Sequence, residues 1–178
     1  MKILLHICCA PCSVMCIRRL REAGQEVTGF WYNPNIHPYT EYRNRRDSLK
    51  NYAESIGLPM LWRDEYGLKP FVRMVADQLE ERCEKCYRER LKVTAEAAKT
   101  GGFDAFSSTL FISPYQKHDL LRQTAESVAK EVGIPFHYVD FRPDFREGQT
   151  VAREWPLYLQ KYCGCVFSEE ERYLPKKP

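Results

Sequence analysis

Eight cysteines stand in this chain of 178 residues, and four of them crowd the segment "LLHICCAPCSVMC" at positions 8, 9, 12 and 16. A second pair is Cys83-Glu-Lys-Cys86 and a third is Cys163-Gly-Cys165. Thiolates bind zinc and iron–sulfur clusters. Adjacent Cys8 and Cys9 point different ways from one backbone, so they suit two corners of a cluster better than a disulfide with each other. The C-x-x-C spacing of Cys83 and Cys86 lets both sulfurs converge on one ion. Two and two make four sulfur ligands, enough for tetrahedral zinc or a cubane cluster. Cys12 is near enough to be an alternative ligand, whereas Cys16, one helical turn further on, reads as a small core residue. A disulfide across the single glycine of "CGC" would be strained and easily reduced, which suits a redox role, and the same dithiol could instead hold a second metal ion. Eight thiols exceed one four-ligand site, and the surplus argues for more than a structural zinc.

The elements that must position these thiols alternate along the chain. Lys2 to His6 is a short apolar run suited to a buried parallel strand. Ser13 to Ala23 has helical spacing, with Val14, Ile17 and Leu20 on one face, and Gly24 stops it. Further strands are expected at Glu26–Tyr32, Met60–Arg63, Ala105–Leu110 and Phe136–Val139. Helices are expected over Tyr39–Ile56, Leu68–Leu79, Lys85–Lys99, Pro114–Val132 (with Ser113 as N-cap) and Val151–Lys161, and the charged segment Arg142–Gly148 reads as a loop. Strands alternating with helices predict an α/β fold, a parallel sheet with helices on both faces. Ligands of such sheets sit at the carboxyl ends of the strands. Cys8 and Cys9, "YNPNIHP", "SSTLFISPYQ" and "DFRPDFREG" all fall on that rim.

The first strand does not lead into a phosphate loop. "HICCAPCS" has no glycine, and its proline lacks the N–H that would approach an anion. The net charge of +3 is mildly basic and permits nucleic acid as a partner. The apolar run after Met1-Lys2 is too short for a secretory signal, and no apolar run approaches the roughly 20 residues of a membrane helix. A cytoplasmic, reducing setting and a single α/β domain over residues 1–178, ending in the "CGC" segment, are expected.

Six segments together, "LLHICCAPCS", "YNPNIHPYTEYRNR", "ERCEKCYRERL", "FSSTLFISPYQ", "DFRPDFREG" and "YLQKYCGCVFS", resemble the epoxyqueuosine reductase QueH family, in order and over most of the chain. The resemblance implies a Rossmann-like fold similar to the adenine nucleotide alpha-hydrolase-like group. It implies reduction of the epoxide of epoxyqueuosine, in the wobble nucleotide of tRNA, to the cyclopentene of queuosine. It also implies a [4Fe–4S] cluster, with neither cobalamin nor ATP. Carried over by motif, Cys8, Cys9, Cys83 and Cys86 would be the cluster ligands. Cys163 and Cys165 would be a redox-active dithiol or ligands of an additional mononuclear iron.

The reaction takes two electrons and two protons and releases water, so it needs an external electron donor and a general acid. His37, Tyr115 and Asp140 lie on the expected rim as candidate acids. With tRNA as partner, Arg43, Arg45, Arg46 and Lys50 on one helix, with Arg142 and Arg146, would meet phosphates. Phe30, Trp31, Tyr39 and Tyr42 are candidate stacking surfaces for an unstacked base. Asn33, Asn35, Ser107, Ser108, Thr109 and Gln116 offer hydrogen bonds to it. Two other classes stay open on the residues alone: a zinc-stabilised RNA-binding domain without catalysis, and an ATP-dependent tRNA sulfur-transfer enzyme, which would need the missing phosphate loop.

Overall fold

The computed structural model describes residues 1–175. Four parallel strands form the sheet in the order β3-β2-β1-β4: β1 (Lys2–His6), β2 (Glu26–Trp31), β3 (Met60–Trp62) and β4 (Ala105–Ser108). β1 lies between β2 and β4, in register Ile3 with Val27 and with Ala105. A strand covered on both faces has no solvent side, and Ile3, Leu4 and Leu5 are accordingly all fully buried. The layers are helical. α1 (Ala10–Glu22) packs with α2 (Tyr39–Ser55) and α6 (Phe145–Glu154), while α4 (Arg82–Thr100) packs against β1 and β4 and carries α5 (His118–Val132). Two short helices complete the chain, α3 (Leu68–Val75) and α7 (Val166–Tyr173). Among the described residues no helix is long and apolar enough to cross a membrane.

The expected α/β fold is the observed one, with local corrections. α1 begins at Ala10 rather than Ser13, because the thiol of Cys9 caps it and Pro11 sits in its first turn, where no N–H is needed. α4 begins at Arg82, which puts both Cys83 and Cys86 in its opening turns. The fifth strand shrinks to one bridge between Phe106 and Phe136, since the rings of Phe136 and Tyr138 turn to pack against Phe111. Ser113 caps a turn, accepting from the N–H of Tyr115, and α5 starts only at His118. Much of the segment read as a charged loop is α6, whose buried Gly148 lies at the crossing with α1. A Cβ there would come within 3.1 Å of Met15 Cγ. The helix expected over Val151–Lys161 therefore starts earlier and ends at Glu154, and α7 had no counterpart in the sequence reading.

Candidate metal and thiol centre

β1 ends at His6, and the chain passes through Cys8 into α1 at the carboxyl end of the sheet. Cys8, Cys9 and Cys12 are buried there, with donor atoms all within 4.8 Å of one another. Cys9 Sγ accepts from the backbone N–H of Cys12 at 3.4 Å, and the Cys8 and Cys9 sulfurs lie 3.8 Å apart. Thr109, just beyond β4, fixes Cys8. Its hydroxyl accepts from the Cys8 N–H at 3.2 Å and lies 3.4 Å from the sulfur, within donating distance. Hydrogen bonds from Cys12, Cys9 and Thr109 hold the Cys8 thiol well below its ordinary pKa, against burial. Burial pushes Cys9 up, and the bond that Cys12 gives to Cys8 pushes Cys12 up. Of the three coupled thiols, Cys8 is the one whose ionisation its neighbours favour. Gln160 covers it, its amide donating to Cys9 at 2.9 Å and to Cys12 at 3.4 Å. Cys16 bonds the carbonyl of Cys12 in the core and takes no part.

A second group of thiols lies between α4 and the C-terminal segment. Cys86 and Cys165 pack with Phe71 and Val75 in one small apolar cluster, and burial pushes the Cys86 thiol up to about 12. Cys163 is the exposed thiol of the eight, all of which are free. Gln116 donates to its sulfur at 3.4 Å and accepts from Tyr87 at 2.7 Å. The "CGC" turn is docked by its backbone. Arg45 donates to the carbonyls of Tyr162 and Cys163, both at 2.9 Å, and the N–H of His37 donates to the carbonyl of Gly164 at 2.8 Å. Gly164 has φ of +145° and packs so tightly that a Cβ would meet Ile36 at 3.2 Å and Arg45 at 3.4 Å. No other residue fits both the backbone and the space.

Two buried arginines lie within electrostatic reach of both groups. Arg45 faces Cys9 and Cys8 and is paired with Glu41 at 2.7 Å. Arg90 faces Cys86, Cys163 and Cys8 and has no carboxylate partner among the described residues; its Nε donates to the Cys86 carbonyl and its Nη2 has no partner. A buried cation without a counter-charge is costly, by several kcal/mol on the order of the ion's desolvation. The groups facing it are the sulfurs of Cys86, Cys163 and Cys8, which a bound metal would hold as thiolates. A soft, anionic metal–thiolate centre is therefore what the donor set and its surroundings fit.

The sequence model of the family described as epoxyqueuosine reductase QueH matches residues 3–171. The chain belongs to the epoxyqueuosine reductase QueH family. A QueH relative from Dehalococcoides mccartyi is 38% identical over 172 residues, covering 97% of this chain and 94% of its own. One from Thermotoga maritima is 33% identical, covering 96% and 91%. Family membership makes the chain an oxidoreductase. Among solved structures, a predicted subunit of tRNA methyltransferase from Methanocaldococcus jannaschii superposes with a TM-score of 0.59 at 13% identity, over 86% of this chain and 76% of that one. At that identity the likeness shows the shared Rossmann-like fold.

Against this QueH framework the residues expected from sequence fall into three sets. Cys8 and Cys9 meet Cys12, whereas Cys83 and Cys86 lie across Arg90 with Cys163 and Cys165; among the described residues no set that includes Cys83 or Cys86 closes within 4.8 Å. Thr109 holds Cys8, Gln116 holds Cys163, and Asn33 donates to the Ile7 carbonyl at 2.9 Å below the first trio. Ser107 and Ser108 are fully buried at the end of β4, where Ser108 bonds His6 at 3.1 Å.

Other expectations need correction. Asp140 is chelated by Arg142 at 2.7–2.9 Å, which holds its pKa at about 2, so it carries no proton to donate near neutrality. His37 donates through Nε2 to the Pro34 carbonyl and accepts at Nδ1 from the Val166 N–H, and burial lowers its pKa to about 4. Through both ring nitrogens it straps the "CGC" turn to the loop after β2. Tyr115 is 86% exposed and packs edge-on against Phe145. Arg45 is buried and cannot meet a phosphate, and Arg46 is tied to Asp47 and Asp64. Phe30, Trp31 and Tyr42 are core residues; of the four aromatics only Tyr39 is exposed. Arg43 and Arg146 are exposed, as is Arg142 beside its aspartate.

Arg90 and Gln160 escaped the sequence reading. Arg90 stands one helical turn after Cys86 on the same face, a legible signal. Gln160 sits in irregular backbone, where spacing carries none. The role found for Arg45 is testable. Arg45→Met strands Glu41 and two carbonyls, so denaturant unfolding should show a loss of about 3–5 kcal/mol. Exposed Arg43→Ala should stay within about 0.5 kcal/mol of the unsubstituted protein.

Proposed function

We propose that this chain reduces the epoxide of epoxyqueuosine in the wobble nucleotide of tRNA to the alkene of queuosine, with a [4Fe–4S] cluster and the Cys163–Cys165 dithiol as its redox groups. One observation carries the reading: in a chain of this family, seven of the eight cysteines gather on the carboxyl rim, around two buried arginines that lack enough carboxylate to neutralise them. Cys8, Cys9, Cys83 and Cys86 would hold the cluster, which when bound supplies electrons singly at low potential.

The chain's own groups account for the rest of the chemistry. Opening the epoxide to an alkene consumes two electrons and two protons and releases water. Oxidation of Cys163 and Cys165 from dithiol to disulfide supplies both, and an external reductant returns the dithiol. The protons leave with the thiols, so no separate carboxylic acid is required, in keeping with the ionised state of Asp140. Gln116 orients Cys163, and Arg90 balances the anions formed as the pair reacts.

An aromatic and basic surface beside the site supports tRNA as the partner. Tyr39, Trp62 and Tyr66 are exposed. Lys50 lies over Trp62 at 5.3 Å, and Arg63 over Tyr32 at 4.6 Å. Rings of this kind stack on unpaired bases and the cations meet phosphates. The affinity for tRNA should fall steeply with salt. Replacing both Lys50 and Arg43 by alanine should reduce the log–log slope by about 0.7 per cation removed, as read by filter binding across a salt series.

Metal content after anaerobic purification separates this function from a zinc-stabilised RNA-binding domain. A brown protein with iron and acid-labile sulfide supports the reading. A colourless protein holding one zinc refutes it.

A further inference from the structure

A cavity of about 200 Å³ opens next to Cys86, on the side of Arg90 that faces the loop after β2. Tyr32, Phe71 and Met74 form its apolar walls, and Asn35, Glu89 and Arg90 supply its polar groups. Asn35 is 2% exposed and neither its amide nitrogen nor its amide oxygen has a partner. Arg90 is equally buried and its Nη2 is also unpaired. Leaving a buried donor or acceptor unsatisfied costs about 1–3 kcal/mol each. Native interiors rarely leave three such atoms unpaired on neighbouring residues, and both residues line the cavity.

We propose that this cavity is the nucleobase pocket, which takes the modified 7-deazaguanine flipped out of the anticodon loop, with Asn35 reading its amide edge and Arg90 donating to an oxygen of its cyclopentane substituent. This rests on the epoxyqueuosine reading above. The chemistry of the two sides matches. A guanine-type ring presents a carbonyl oxygen beside a ring N–H, an acceptor next to a donor. The Asn35 amide offers a donor next to an acceptor. Glu89 accepts from the Tyr32 hydroxyl at 2.8 Å and has a second oxygen for the exocyclic amine of the base. Tyr32 and Phe71 give the flat ring an apolar enclosure. The substituent at the far end would then point toward Arg90 and Cys86, where the thiols are. Arg63 lies over the ring of Tyr32, a wall of the cavity, and Tyr32 thereby links the cavity to the basic aromatic surface assigned to the tRNA.

Three variants test this: Met74→Trp, which fills the cavity from a wall; Asn35→Ala; and Asn35→Asp, which keeps the shape of the amide but loses its donor. Binding of free epoxyqueuosine nucleoside is measured by calorimetry on the iron-loaded protein, alongside iron content, tRNA affinity, and kcat and KM on epoxyqueuosine-containing tRNA. Met74→Trp is expected to abolish nucleoside binding and turnover while iron content stays full and tRNA affinity changes by less than about threefold. Both Asn35 variants are expected to weaken nucleoside binding by about 10- to 100-fold. Unchanged nucleoside affinity in Met74→Trp and in Asn35→Asp would overturn the pocket. If the unsubstituted protein turns over no epoxyqueuosine tRNA, yet binds the nucleoside in a manner that Met74→Trp abolishes, the pocket stands and the proposed reaction falls.

Discussion

Proteins carrying Cys163→Ser or Cys165→Ser are expected to fold, to keep their full iron content and to lose epoxide reduction by at least about 1,000-fold. The reaction needs an electron pair and two protons together, and a dithiol delivers both. Cys163 is an exposed residue whose sulfur is held by Gln116 within reach of the Arg90 charge, while Cys165 is anchored against Cys86. Serine keeps the size of each side chain and its hydrogen bonds, so the docking of the turn by Arg45 and His37 should survive. Turnover assays with iron determination on each single variant check this. Activity in the double variant would remove the pair from the reaction. Loss of iron would make one of its sulfurs a ligand.

The second large effect concerns the ligands themselves. Cys83→Ser is expected to lose most of the iron and the brown colour, whereas Cys12→Ser keeps both. Cys12 is the harder case, because its sulfur sits with Cys8 and Cys9 within 4.8 Å and Cys83 does not. Its place is nonetheless that of a donor. It lies beside Cys8 and lowers that thiol's pKa, while its own thiol is pushed up. Cys83 stands in the opening turn of α4, within reach of the Arg82 charge. Iron and sulfide analysis of both variants decides between them. Full iron in Cys83→Ser with none in Cys12→Ser would reassign the site to the buried trio.

The sheet was legible because its signals are local. The run Lys2–His6 and the paired helices around it carry their period in consecutive residues, and parallel topology follows from alternation. The thiol groupings were legible as motifs but not as distances. Nothing in the spacing of Cys8, Cys9, Cys83 and Cys86 says that the buried Arg90 lies within electrostatic reach of Cys8 and of Cys86. Helix α7 was missed because its N-cap is the sulfur of Cys165, a residue read for redox chemistry and not for capping. The basic character of the Tyr39–Ile56 segment was real, but charge alone did not reveal that Arg45 turns inward to Glu41 and the "CGC" carbonyls. The surroundings of His37 and Asp140 were hidden for the same reason. Their partners, Val166 and Pro34 for one and Arg142 for the other, are fixed by tertiary structure and by a turn that spacing did not disclose.

The most direct test of the proposed reaction is nucleoside mass analysis of epoxyqueuosine-containing tRNA after anaerobic incubation with the iron-loaded protein and a chemical reductant. Queuosine should appear at the expense of epoxyqueuosine, lighter by one oxygen atom, in multiple turnovers that stop when the reductant is omitted. Epoxyqueuosine left intact by a protein that is brown, fully loaded and supplied with electrons would contradict the account.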